Sequence, residues 1–164
     1  QVIKEKGASI LTDLPRFFDE VRSATKTGSN LNPTELARIA SRYSTDDLLM
    51  ISDEFGWGNP ATLEKHFLDH ANDFGAKSIE EYAQVVSKKN LDIFAENIPG
   101  SQWFVGKDGK IRVFDKDSGY FGVLNPNGTS ATGYIPDPLT NGGFTPIQYW
   151  EREIIKRGLI KSNF

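Results

Sequence analysis

Two histidines, His66 and His70, are the residues of this sequence whose type and spacing best suit chemistry. They are the two histidines of the chain, and a separation of four residues places them on the same face of a helix. An imidazole titrates near neutral pH, so it can accept a proton and return it. A zinc site needs at least three protein ligands, and the chain has no cysteine to supply one. The pattern therefore favours proton transfer by His70, and we expect no metal and no cofactor.

A single helix over residues 59–75 is expected to position this pair. Asn59 suits the N-cap, Pro60 the first helical position and Gly75 the residue after the last turn. Four residues spaced for one helix face form an apolar stripe that contains one histidine: Leu63, Phe67, His70 and Phe74. This position is compatible both with a buried structural histidine and with a catalytic one. His66 follows two charged residues and is expected at the surface or the rim.

Length and charge limit the class of protein. A chain of 164 residues fits one domain with a sizeable core. No apolar run approaches the roughly 20 residues of a membrane span, so we expect no membrane-spanning segment. Residues 1–7 are followed by no apolar segment of a secretion signal, although a start at Gln1 equally fits a piece of a larger protein. The net charge of −3 argues against a general nucleic-acid binder. Any polyanion would have to be held locally.

The first 55 residues are predicted to be helical. An amphipathic pattern covers residues 10–21, and N-cap signals at Asn32 and Ser44 open two further helices. The glycines and proline of residues 55–60 indicate a boundary. We therefore expect an N-terminal helical segment, residues 1–55, which is either a cap or part of a translocation module, and a functional domain over residues 56–164.

The functional domain is predicted to change from helix to sheet near residue 101. A capping box at Ser78 opens a helix from Ile79 to about Asn90, which forms a hairpin with the preceding helix. Four short runs then have the composition of strands: QWFVG, KIRVFD, YFGVLN and TSATGYI. Their tight turns indicate an antiparallel meander, and a last helix follows over residues 145–158. This is the α+β class, with the helical hairpin expected to cover the one buried face of a twisted sheet.

Two strings in this arrangement resemble a known family. The string DHANDFG at residues 69–75 and the string NPNGTSATGYIPD at residues 125–137 are similar to strings in the colicin D-like C-terminal toxin domains of contact-dependent growth inhibition systems. These domains belong to the barnase/EndoU/colicin/RelE group of ribonucleases. The resemblance covers residues 59–137 and implies the fold of that group. It also implies that His70 is the catalytic histidine, that Thr132 replaces a serine and that Tyr134 replaces a tryptophan. Asp69 and Asn72 stand where the family has lysines.

The implied activity is that of a metal-independent endoribonuclease. The 2′-OH of RNA is the nucleophile, so the enzyme needs a base, an acid and donors for the charged phosphorane. The products would be a 2′,3′-cyclic phosphate and a 5′-OH. We expect His70 to act as general acid or base, Thr132 as a donor to the phosphate, and Tyr134 as a stacking platform or second proton carrier. Substrate-binding residues would be Arg112, Lys110, Lys65 and His66.

The resemblance also implies partners and a location. Proteins that recognise a specific RNA sequence mostly bind single-stranded loops. The expected substrate is therefore a tRNA, which would be cut in its anticodon loop. A cognate immunity protein would neutralise the toxin, and a host protein could serve as a cofactor. Such a domain would be delivered from the cell surface to the cytoplasm of target bacteria. Two alternatives stay open: a noncatalytic protein-binding module that uses Tyr149 and Trp150, and a metal-dependent DNase that uses both histidines.

Overall fold

A computed structural model of the chain describes residues 30–164. These residues form five α-helices and a five-stranded antiparallel sheet, with four helices before the first strand and one after the fourth. The predicted α+β class is therefore confirmed. The helix expected over residues 10–21 lies outside the described residues. The chain divides into two compact units, one reaching to Val85 and the other extending from Val86 to Phe164. The predicted boundary at residues 55–60 lies inside the first unit.

The helices of the first unit begin where the sequence predicts. They are α1 (Pro33–Ala40), α2 (Thr45–Phe55) and α3 (Pro60–His70). Asn32 and Ser44 each complete a reciprocal capping box with the residue three positions on. The Asn59 side chain accepts from the backbone N–H of Ala61 at 3.1 Å. These caps pair backbone donors that a helix start leaves unsatisfied.

The helix that carries the histidines is shorter than predicted. It ends at His70 and continues as a 3₁₀ turn over Ala71–Asp73, and Gly75 then closes this turn at φ 64°. The prediction of one helix to Gly75 is wrong because a contact distant in sequence intervenes. The Asn72 side chain accepts from the backbone N–H of Leu31 at 3.0 Å and donates to its carbonyl at 2.7 Å. His70 thus lies at the end of α3, with φ −130° and ψ 0°.

The core of the first unit contains the apolar stripe of α3. Leu63 and Phe67 are fully buried, and Phe67 lies edge-on to Tyr82 at 6.4 Å between ring centroids. Tyr82 belongs to α4 (Ile79–Phe94), which opens at the predicted box, where the Ser78 hydroxyl accepts from the N–H of Glu81 at 3.0 Å. Helix α4 continues past the expected end at Asn90, because its last turns bury Ile93.

The sheet of the second unit contains the four predicted strands and one more. The predicted strands are β1 (Gln102–Gly106), β2 (Ile111–Asp115), β3 (Tyr120–Leu124) and β4 (Ser130–Tyr134). The fifth, β5 (Leu159–Ser162), follows the last helix, α5 (Pro146–Arg157), and pairs with β1, which gives the order β4-β3-β2-β1-β5. A strand of four mostly exposed residues lacks an alternating pattern. Its pairing with a distant strand defines it.

Both faces of the sheet are covered, whereas the sequence predicted a cover for one face. On one face, Trp150 of α5 packs on Phe104, Phe114 and Phe121. On the other, Asn90 of α4 donates to the Ser130 hydroxyl at 3.0 Å and accepts from the Tyr120 hydroxyl at 2.7 Å. A side chain at Gly122 would collide with Asn90, so this glycine makes the close approach of α4 feasible. Every residue of β2 and β3 is buried as a result.

Candidate functional site

The residues predicted to carry chemistry fall into two groups, one in each compact unit. Helix α3 of the first unit carries Lys65, His66 and His70. The sheet unit carries Lys110, Arg112, Thr132 and Tyr134.

The two histidines lie close together, and one of them contacts the ring of a tryptophan. The rings of His66 and His70 are 6.0 Å apart between centroids, and His66 meets Trp57 edge-on at 5.3 Å. The Nδ1 atom of His70 lies 3.8 Å from an oxygen of Asp73, and 27% of the His70 side chain is exposed. Both rings are therefore half-buried. This position reduces their hydration without closing them to solvent.

This environment keeps His70 neutral at pH 7. Burial lowers the pKa of His70 to about 4, and the neighbouring His66 adds to the shift, while Asp69 opposes it. Burial lowers the pKa of His66 as well. A low dielectric disfavours the charged imidazolium. The neutral ring of His70 can accept a proton, which is the state a general base requires.

Lys65, a predicted substrate contact, is engaged on the surface of α3. Its ammonium lies 2.6 Å from the carboxylate of Asp69, one turn further along the helix. Asp69 is the residue that stands where the resembling family has a lysine. An exposed pair of this kind contributes at most about 1 kcal/mol to stability. The pair offsets the positive charge beside the histidines.

Arg112, Thr132 and Tyr134 project from the same face of the sheet. Arg112 pairs with Val123, and Val123 pairs with Thr132, so side chains in this row point to one side. Tyr134 lies two residues from Thr132 and shares its side. This is the face covered by α5, since Val123 belongs to the core around Trp150.

Arg112 is a fixed, buried charge. Only 3% of the residue is exposed, and its Nη1 donates to Asp108 at 2.6 Å. This hydrogen bond from Arg112 is the main reason that the pKa of Asp108 falls to about 2. The Nε atom of Arg112 is buried and has no hydrogen-bond partner among residues 30–164. The guanidinium is thus held in place under the surface, with donor capacity left over.

Tyr134 is held as a protonated phenol. Its hydroxyl shares a short hydrogen bond with the hydroxyl of Tyr149 on α5, in which either can donate. Its ring packs on Phe121 at 5.5 Å between centroids. Burial raises the pKa of Tyr134, and the contact with Tyr149 raises it further. The phenol can therefore donate a hydrogen bond at neutral pH and is a poor base.

Helix α5 adds three residues to this face. From the sequence we considered Tyr149 for protein binding and Arg157 as a source of positive charge, and we gave no role to Glu153. Tyr149, Glu153 and Arg157 recur every four residues and so share one side of α5. Glu153 is 6% exposed, and its Oε1 accepts from Arg157 Nε at 3.3 Å. Both charges act on Tyr134. The four-residue spacing was the available signal for this set. We call the set of six residues on this face the polar centre: Arg112, Thr132, Tyr134, Tyr149, Glu153 and Arg157.

Two further structural findings concern residues 30–164. They contain no group of three or more His, Cys, Asp or Glu residues that could hold a metal ion. No helix in this part of the chain is long and apolar enough to cross a bilayer.

Comparison with known proteins does not assign a family. No protein-family model matches the sequence, and no curated protein matches it significantly. The side chains of the two units and the short strings of residues 69–75 and 125–137 are therefore the features that bear on function.

Proposed function

We propose that this chain is a metal-independent endoribonuclease domain of the antibacterial toxin type. The observation that carries the proposal is the polar centre, where Arg112, Thr132 and Tyr134 share a sheet face with Glu153 and Arg157 of α5. Guanidinium and hydroxyl donors held in place are the groups that stabilise a charged phosphorane. RNA supplies the nucleophile itself, so such a centre needs only proton transfer in addition.

His70 is proposed as the proton acceptor from the resemblance of residues 69–75 and from its neutral imidazole. Its neutral imidazole would take the proton of the 2′-OH as the 2′-oxygen attacks phosphorus. The bond from phosphorus to the 5′-oxygen then breaks, and the leaving 5′-oxygen takes a proton from water, while His70 returns its own proton to water. The products are a 2′,3′-cyclic phosphate and a 5′-OH. A pKa of about 4 describes the imidazole without substrate, and a bound phosphate would raise it because an adjacent negative charge favours imidazolium.

The donors of the sheet unit have separate proposed roles. Tyr134 remains protonated and would donate to a phosphate oxygen, with Tyr149 holding its hydroxyl in place. Thr132 would supply a second hydroxyl, and its backbone carbonyl is fixed by Asn90 at 3.3 Å. Arg112 would add positive charge from beneath the surface. Glu153 would keep the guanidinium of Arg157 in position.

The substrate class and partners are proposed from the resemblance. A single-stranded RNA loop exposes both its bases and its 2′-OH groups, and a tRNA anticodon loop is such a substrate. The proposal includes neutralisation by a cognate immunity protein and delivery to the cytoplasm of target bacteria. Lys65, His66 and Lys110 would be secondary substrate contacts.

The experiment is to map RNA ends after brief expression of the chain in bacteria that lack an inhibitor. This setting supplies any host protein that the activity requires. We expect growth arrest and tRNA fragments with 2′,3′-cyclic phosphate and 5′-OH ends, and we expect the purified domain to cut the same RNA in the presence of a chelator. The absence of RNA fragments would favour the protein-binding alternative. Chelator-sensitive cutting of DNA would favour the metal-dependent one.

A further inference from the structure

We infer that the β1–β2 turn and the end of α5 together bind the phosphate backbone of single-stranded RNA. The inference rests on the proposed function and names the surface that would hold its substrate. We call this surface the basic cluster, and it consists of Lys107, Lys110, Arg112, Lys156, Arg157 and Lys161. Two of these residues, Lys110 and Arg112, were expected from the sequence to contact substrate, and Lys156 and Arg157 were considered as further sources of positive charge.

Three contacts bring the two segments together. The backbone N–H of Lys107 donates to the carbonyl of Arg157 at 3.1 Å. A Cβ placed on Gly106 would lie 3.2 Å from the Cβ of Arg157 and 3.0 Å from Nη1 of Arg112. Strand β5 pairs Lys161 with Val105 of β1. Residues that are about 50 positions apart in the sequence therefore form one surface.

The charge of this surface differs from that of the whole chain. The chain carries a net charge of −3, yet residues 107–112 and 156–161 contain six of its nineteen basic residues and one acidic residue, Asp108. Local positive charge of this kind attracts a polyanion even on an acidic protein. The charge reaches solvent, since Lys107, Lys156 and Lys161 are exposed.

The four lysines of the basic cluster form no ion pair with a carboxylate of residues 30–164. Elsewhere in that part of the chain, Lys65, Lys88 and Lys89 each lie within 4 Å of an aspartate. The carboxylates at the basic cluster, Asp108 and Glu153, bind the two arginines instead. Its lysine charges are therefore available to a ligand.

The two arginines of the basic cluster differ in their exposure to solvent. Arg112 is buried against Asp108, whereas the Arg157 side chain is 37% exposed and uses Nε to donate to Glu153. The Nη groups of a guanidinium held in this way can meet a phosphate with two parallel hydrogen bonds. Arg157 is therefore the arginine that would touch the backbone. Because Arg157 also belongs to the polar centre, the basic cluster would guide RNA to that centre.

A helix end alone does not account for this surface. Lys156 and Arg157 suit the negative end of the α5 dipole, but Lys107, Lys110 and Lys161 belong to other elements. A chain of phosphates spaced along RNA fits charges distributed over a turn, a helix end and an edge strand. A single small anion would need only one of them.

The test uses a short, fluorescently labelled 2′-O-methyl oligoribonucleotide, which cannot be cut by 2′-OH attack. Its affinity would be measured by anisotropy over a range of salt concentrations for the whole chain, for the double variant Lys107→Glu/Lys156→Glu, and for the control Lys88→Glu/Lys116→Glu. The control makes the same change in net charge on exposed lysines of the same unit. Circular dichroism would confirm that all three proteins are folded.

We expect the Lys107/Lys156 variant to bind at least about tenfold more weakly at low salt. The slope of log affinity against log salt should be shallower by about 1.4, since each lost contact removes about 0.7 for a single strand. The control should retain most of the affinity and the wild-type slope. Equal affinity of the two variants for the oligonucleotide would overturn the inference. The absence of salt-dependent binding by the whole chain would also overturn it. Because the probe is not cut, this result is independent of whether the chain cleaves RNA.

Discussion

The histidine pair of α3 and the polar centre of the sheet unit differ in the charge and in the exposure of their main groups. His70 lies at a helix end, half-exposed, where burial keeps its ring neutral. Arg112 is almost fully buried, and Asp108 fixes its guanidinium by accepting a hydrogen bond at 2.6 Å. A group that must exchange protons benefits from partial exposure, because it changes between its neutral and its charged form during the reaction. A group that must stabilise charge benefits from being fixed.

The largest expected effect concerns the group that exchanges protons. Replacing His70 by Gln should reduce RNA cleavage by about 10²- to 10⁴-fold, the usual contribution of a general acid or base. The stability at pH 7 should change little, since the glutamine is also neutral there. Initial cleavage rates of the purified variants would measure the effect. His66→Gln serves as the comparison and should lose less, and equal losses would remove the distinction between the two rings.

The second effect concerns the fixed charge. The Asp108→Ala variant should lose about 3 kcal/mol of unfolding free energy, because it leaves the buried guanidinium of Arg112 without its partner. Denaturant unfolding of the whole chain would measure it. The matched control is Asp117→Ala, at an exposed aspartate of the next turn, where a change within about 0.5 kcal/mol is expected. A similar small change for Asp108→Ala would show that Arg112 is not held by this pair.

A third effect follows from the lowered pKa of His70. Its folded-state pKa of about 4 lies below the ordinary value of 6.5, so the unfolded chain binds the proton more tightly between these values. Its contribution therefore makes the protein less stable as the pH falls from 6.5 towards 4. Wild type should lose about 2 kcal/mol more than His70→Gln between pH 7 and pH 4.5. Burial raises the pKa of Glu80, and its opposite contribution cancels in this difference. Parallel stability profiles for the two proteins would contradict the shift.

The smallest effect is expected on the surface of α3. Lys65→Met removes the partner of Asp69, and it should change the unfolding free energy by less than about 1 kcal/mol because the pair is exposed. Removing the neighbouring positive charge should raise the pKa of His70 slightly, since Lys65 contributes to lowering it. An NMR titration of the His70 ring would detect this change. A downward shift would mean that Lys65 does not act on the ring as described.

Local signals in the sequence were enough to predict most of the elements. Asn32 and Ser44 cap helices through bonds to residues three positions on, and Gly109 permits a turn within a hairpin. These preferences depend on a few neighbouring residues. The end of α3 and the existence of β5 depend on Leu31 and Gly106, which lie far away in the sequence. No local pattern carries that information.

The candidate site shows the same division. Strand alternation places Thr132 and Tyr134 on one face, and this could be predicted without knowing what covers it. The contribution of Glu153 and Arg157 depends on how α5 is rotated on the sheet, and the packing of Trp150 on the phenylalanines of β1, β2 and β3 sets that rotation. The burial of Arg112 likewise follows from the packing of α5 on this face. Sequence reasoning therefore placed the strand residues on one face, but it could not place the residues of α5 beside them and gave no role to Glu153.

The central claim is that RNA supplies the nucleophile through its own 2′-OH. It is tested most directly with a substrate that carries one 2′-deoxynucleotide on the 5′ side of the mapped scissile phosphate. We predict that this bond is no longer cleaved, whereas a 2′-deoxynucleotide placed one position away does not prevent cleavage. Continued cleavage at the modified bond would contradict the account, because the modified nucleotide has no 2′-OH to attack the phosphorus.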